Sequence, residues 1–260
     1  MTDDVRVERD GAVGRIVLDR PDANNAMDAD TAEGLRAAAA ELADDDACRC
    51  LVLTGVGPLF NTGADLTTLD GNASDGTRLK SLAATLHEFV RLLATAPKPV
   101  VCGVNGVAAG GGIGPALAGD VVLMAASARF QFAYPAIGLS ADGGSTYFLP
   151  RLVGLREAQR IAMRNEPVGA AEAAELGLVT ETVPDDEFGE ALAAEAERLA
   201  DGPTRAYAET RDLLRTSFEH GLGEQLSREA DAISGLADTE DFAEGYGAFF
   251  GDDDPAFVGE

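Results

Sequence analysis

Residues 97–120, PKPVVCGVNGVAAGGGIGPALAGD, constrain the fold more than any other stretch of the chain. Val100 and Val101 open a β-branched run after Pro99, Asn105-Gly106 breaks it, and Gly110-Gly111-Gly112 leads into Ala116, Leu117 and Ala118 at helical spacing. The pattern predicts strand, glycine turn and helix. Three glycines ahead of a helix let backbone come close to a ligand, and the first N–H groups of that helix have no partner within it. With the helix dipole they suit an oxygen that carries or develops negative charge. The same glycines would equally permit a close crossing of helix and strand, and these residues alone leave both readings open.

Spacing excludes three other glycine turns. A dinucleotide fingerprint fails because Pro115 stands where its third glycine would fall, and a P-loop fails because the only lysines are Lys80 and Lys98. A nucleophile elbow centred on Ser145 would need glycine at Tyr147.

At 260 residues without a Pro/Gly/Ser linker, the chain suits a single large α/β unit. Residues 1–4 lack the basic start of a secretory signal and no apolar run reaches membrane-spanning length, so a cytoplasmic protein is expected. Cys48, Cys50 and Cys102 lack metal-ligand spacing and read as reduced, buried thiols, with no metal site and no disulfide. A net charge of −25 argues against nucleic acid and anionic membrane as partners. Acid spread along helices that keep their apolar faces, with lysine almost absent, points to a solvated surface suited to high salt.

Residues 5–8 and 13–18 around Asp10-Gly11 read as a hairpin, 28–42 as an amphipathic helix, and 51–54 as a buried strand. Residues 60–66 form a second glycine loop, in which Asp65 reads as a cap on nearby N–H groups. Helix is expected over 77–96, with Leu79, Leu82, Leu86, Phe89, Val90 and Leu93 on one face and His87 off it. Strand follows at 121–124. Asp142, before Gly143-Gly144, reads locally as a helix cap. From Leu155 the chain is mostly helical, with a short strand at 179–183 and helical spacing over 185–200, 203–216 and 222–234.

Taken in order, Leu18-Asp-Arg-Pro21 with Asn25-Ala26, Phe60-x-x-Gly-Ala-Asp65, Pro99-Val to Gly110-Gly-Gly112 and Asp120, Leu149-Pro-Arg to Gly154, and Ala173-x-x-x-Gly177-Leu-Val resemble the crotonase superfamily of enoyl-CoA hydratases and isomerases. The resemblance implies an α/β fold, a crotonase-like spiral of ββα units over residues 1–200, and a C-terminal helical trimerisation region over 201–260. It implies a homotrimer or homohexamer acting on an acyl-CoA thioester, with no cofactor beyond the coenzyme A of the substrate. Carried over by position, backbone N–H groups of Ala64 and Gly111 would form an oxyanion hole. Ala26, Met27, Thr62, Gly63, Ala64, Asp65, Leu66, Gly110, Gly111, Tyr134 and Gly138 would line the substrate site.

Two departures shape the chemistry that the resemblance implies. The paired glutamates of the hydratases are matched by Gly114 and Tyr134, which argues against ordinary hydration. Asp142 falls where related isomerases carry a catalytic aspartate, so a double-bond or ring isomerase is the leading expectation. A hydratase with an atypical water site and a non-catalytic acyl-CoA binder are the alternatives. A 4-chlorobenzoyl-CoA dehalogenase also resembles the chain at Asp142, His87 and Tyr134; it ranks lower because histidine is a common helix residue there. An apolar wall around Asp142 would leave its carboxylate poorly solvated. Asp252-Asp253-Asp254 replace a basic pair, so Lys98 or a neighbouring subunit's arginines are left to neutralise the CoA phosphates.

Overall fold

A computed structural model describes residues 4–251 and 254–260. Strands β1 (Val5–Asp10) and β2 (Val13–Leu18) form the expected hairpin, with Val5 opposite Leu18. They edge a six-stranded sheet that continues through β3 (Cys50–Gly55). A short β4 (Leu59–Asn61) leaves that sheet to start a second one, and the next two repeats do the same. These are β5 (Val100–Val104) with β6 (Val107–Ala109), and β7 (Val121–Ala125) with β8 (Arg129–Gln131). The main sheet runs β1-β2-β3-β5-β7-β10 and the smaller β4-β6-β8-β9, where β9 is Val168–Gly169 and β10 is Glu181–Val183. All pairs in the main sheet except the hairpin are parallel, so β3, β5 and β7 are apolar throughout their first four residues, as strands covered on both faces require.

Helices return the chain between sheets. Helix α1 (Ala29–Asp44) starts where the Asp28 carboxylate accepts from Thr31 N at 2.9 Å, and it buries Leu35, Ala38, Ala39 and Leu42. Helix α2 (Asp75–Thr95) begins two residues before its expected start. It buries only the later part of its stripe, Leu86, Phe89, Val90 and Leu93; Leu79 and Leu82 face a cavity instead. After α3 (Ile113–Leu117), α4 (Ser145–Arg164) starts ten residues earlier than the helical spacing indicates. Gly154, at φ +73°, breaks it into two segments: the second starts at Leu155, where the helical spacing puts it, and Pro150 inside the first hides that segment from a periodicity reading.

The remaining helices are α5 (Ala170–Glu175), α6 (Phe188–Ala200), α7 (Thr204–Thr216), α8 (Leu222–Leu236) and α9 (Glu240–Phe250). Buried Arg211 anchors α7, donating to the Leu93 and Ala96 carbonyls and to Asp120. Beyond this clamp the chain loses its core contacts. Helix α8 has no buried residue, and Leu222, Leu226, Ile233, Phe249 and Phe250 are all exposed. Lys98 corrects one expectation: it is buried, its ammonium donates to the Leu42 and Asp45 carbonyls at 3.0 and 2.8 Å, and burial pushes its pKa down. It ties α1 to β5 and cannot reach a CoA phosphate. Asp252 and Asp253 lie outside the described residues.

Candidate active site

Two glycine loops meet beneath α2. In the first, Met27 N donates to the Gly63 carbonyl at 2.7 Å and Asp65 N to the Met27 carbonyl at 2.8 Å, so Met27 and Ala64 pair as a parallel bridge. Asn61 Oδ1 accepts from Gly63 N, and the Thr62 hydroxyl donates to the Asn24 carbonyl. In the second loop, residues 110–112 form a single 3-10 turn leading into α3. A Cβ on Gly63 would lie 2.9 Å from Gly111 N, and one on Gly112 would lie 2.3 Å from the Asn61 carbonyl. The glycines therefore do both things that the sequence allowed: they let the loops cross closely, and the crossing brings Ala64 and Gly111 together. Neither amide takes part in a loop hydrogen bond among the described residues.

Asp142 completes the cluster. Its Oδ1 lies 3.5 Å from where a Cβ on Gly111 would stand, beside Leu86 and the Met27 methyl. The side chain does not cap α4; the Asp142 backbone carbonyl instead accepts from the Ser145 amide and hydroxyl. Oδ1 accepts a 2.6 Å hydrogen bond from the Tyr134 hydroxyl. The carboxylate is half-buried, so the expectation of a poorly solvated group in an apolar wall is corrected: a phenol solvates one oxygen. Burial, and then the charge of Asp142, raise the Tyr134 pKa far above that of a free phenol, so Tyr134 remains a donor. His87 of α2 accepts from Gly143 N at 3.3 Å and lines the same cavity wall as Asp142.

Tyr134 follows a strained residue. Ala133 sits at φ +65°, ψ −33°, a conformation costing an L-residue about 1–3 kcal/mol. Its N–H donates to Asn165 Oδ1 at 2.7 Å, and Gln131 holds the same asparagine. Asn165 ends α4 in the left-handed region, and an Asn at a helix end was the only sequence signal for this anchor.

The other candidate residues divide. Ala26 and Met27 are buried beside the bridge, whereas Leu66 is exposed. A Cβ on Gly110 would lie 4.0 Å from the Tyr134 ring. Gly138 lies in an exposed position, where it closes the 3-10 turn that begins at Tyr134 with positive φ. Asp65 directs its side chain away from the loops: it accepts from Thr67 N and its hydroxyl, and pairs with Arg20 at 2.8 Å. Arg20 also pairs with Asp4 and Asp28, a network that sequence spacing does not reveal. Gly114, at the position of a hydratase glutamate, has no room for a side chain, since a Cβ would lie 1.5 Å from the Gly143 carbonyl.

Two cavities flank the cluster. One of about 420 Å³ is lined by Ala64, Asp65, Leu79, Leu82 and Arg78. The other, about 960 Å³ and largely apolar, lies between α2, α4 and α7 and includes Asp142, His87, Tyr147, Phe148 and Phe218. Arg151 stacks 3.6 Å over the Tyr147 ring within it.

Residues 8–260 match the enoyl-CoA hydratase/isomerase family. The chain is 39% identical over 256 residues to a probable enoyl-CoA hydratase of Rhodobacter capsulatus, covering 98% of each. It is 35% identical over 253 residues to 1,2-epoxyphenylacetyl-CoA isomerase of Escherichia coli, covering 94% of each. A 4-chlorobenzoyl coenzyme A dehalogenase of an Arthrobacter species is 34% identical over 226 residues, 85% of this chain and 80% of the other. The solved enoyl-CoA hydratase of Bacillus anthracis superposes with a TM-score of 0.93 at 27% identity, over 99% of this chain and all of that one.

Proposed function

Because this chain belongs to the enoyl-CoA hydratase/isomerase family, with the crotonase fold, we propose that it is an acyl-CoA isomerase in which Asp142 carries a proton between two carbons of the substrate. The observation that carries this reading is the approach of the Asp142 carboxylate to the Gly111 backbone, beside the free amides of both glycine loops. The thioester oxygen would accept from Ala64 and Gly111 N–H as the enolate forms. Preorganised donors of this kind are worth roughly 100-fold or more in rate each. Asp142 would remove a proton alpha or gamma to the thioester and return it to the other carbon. Coenzyme A is then part of the substrate, and no further cofactor is needed. The 960 Å³ cavity offers the acyl group an apolar wall that begins at Asp142. Ordinary hydration is disfavoured because Gly114 cannot carry a carboxylate without displacing the 142–144 loop.

The test is incubation with trans-3-enoyl-CoA and trans-2-enoyl-CoA over a panel of chain lengths and aromatic acids. Migration of the double bond is the expected outcome; a hydroxyacyl product would replace the reading with hydration, and saturable binding without turnover would make the chain a binder. A second reading is favoured by His87 and Tyr134 both standing at the Asp142 loop and by the dehalogenase relative. Asp142 would then attack an aryl carbon and expel halide. Release of chloride from 4-chlorobenzoyl-CoA distinguishes it.

The exposed apolar residues of α7 to α9 support assembly into a trimer or a dimer of trimers, which light scattering in molar salt would detect.

A further inference from the structure

We propose that Tyr134 is a positioning residue that holds the Asp142 carboxylate beside the Gly111 loop by anchoring Oδ1. The inference rests on the proposed role of Asp142. Oδ1 is engaged by the Tyr134 hydroxyl at 2.6 Å, whereas Oδ2 accepts no hydrogen bond among the described residues. The phenol is itself held in place. Its ring is buried and meets Phe132 edge to face at 5.2 Å. Its backbone leaves the strained Ala133, which Asn165 pins from the end of α4. A strained residue held by a dedicated side chain directly before a buried hydroxyl, itself aimed at a carboxylate, is an arrangement that packing alone does not require.

The proton balance is simple. The Asp142 carboxylate takes a proton from a substrate carbon, and the electrons of that C–H bond become the enolate held at Ala64 and Gly111. Asp142 is then a neutral acid, and the proton passes from it to the second carbon. Tyr134 keeps its own proton throughout and donates to Oδ1 in both states. Without that donor the carboxylate is free to rotate, so a smaller share of molecules holds it ready to take the proton.

The test compares Tyr134→Phe with Asp142→Asn and the unaltered enzyme on whichever enoyl-CoA is turned over. For Tyr134→Phe, kcat is expected to fall about 10-fold with KM within twofold. Its melting temperature should stay near that of the parent. A kcat within twofold, alongside an inactive Asp142→Asn, would overturn the positioning role alone. A Phe variant that fails to fold would make Tyr134 a structural residue and overturn it equally. If Asp142→Asn keeps its turnover, the reading beneath it falls as well.

Discussion

Asp65 and Asp142 each stand next to a glycine-turned loop at the same cluster, and the structure gives them opposite surroundings. Asp65 is buried against Arg20, with both carboxylate oxygens taken by the guanidinium and by Thr67. Asp142 is half-buried, has one neutral donor, and borders a large apolar cavity. A carboxylate whose lone pairs are all engaged holds a loop in shape; one with a free oxygen at a cavity can exchange a proton. In the proposed mechanism the loop carrying Asp65 offers its backbone to the thioester, and the loop carrying Asp142 offers its side chain.

The sharpest way to break this contrast is Asp142→Asn. It is expected to lower isomerisation by roughly 100-fold or more while leaving the melting temperature and acyl-CoA affinity nearly unchanged, as read by steady-state rates, calorimetry and equilibrium binding. A large fall in melting temperature with normal turnover would make Asp142 the structural member of the pair. Next in size, Gly114→Ala should cost about 2 kcal/mol of stability, because its Cβ would meet the Gly143 carbonyl and push the Asp142 loop outward. Turnover should fall with it, as denaturant melts and rates on one preparation would record.

Asp65→Asn should behave in the reverse way to Asp142→Asn, losing about 1.5 kcal/mol of stability but retaining most of its turnover per folded molecule. The Thr67 hydroxyl, with Arg20 behind it, holds the Asp65 carboxyl below the usual aspartate range. A depressed native pKa contributes stability that is present above the unfolded value near 4 and is lost as pH falls through the native one. Melting temperatures from pH 6 down to 3 should accordingly fall less steeply in the Asn variant. The smallest effect concerns neither carboxylate but the acidic surface around both. With a net charge of −25, raising KCl from 0.1 to 3 M should raise the melting temperature by screening like charges. Equal values at the two salt concentrations would remove the high-salt reading.

Much of the fold was legible because its signals are local. The hairpin at Asp10-Gly11, the apolar strands, the stripe on α2 and the acid-led helix α1 each need only a few neighbouring residues to declare themselves. Helix α9 shows the same logic overlooked: Thr239 caps it, accepting from Phe242 N, and Glu240 and Asp241 follow in its first turn. Helix α4 was obscured for a physical reason, since Pro150 and Gly154 carry the usual marks of a helix end inside it.

The sequence by itself determined the family and the two glycine loops, and it named Asp142 as the candidate tested above, since motif order and residue type are properties of the chain alone. The partners of those residues were decided only by tertiary structure. Tyr134 reaches Asp142 because Asn165, more than thirty residues beyond Ala133, holds the chain in a conformation no local pattern encodes. Lys98 is buried because the C-terminal end of α1 and the residue after it supply two carbonyls to it, and Gly114 excludes a glutamate because Gly143 passes over it. Each outcome depends on what lies across a gap of a few ångströms between segments far apart in sequence, where spacing carries no information.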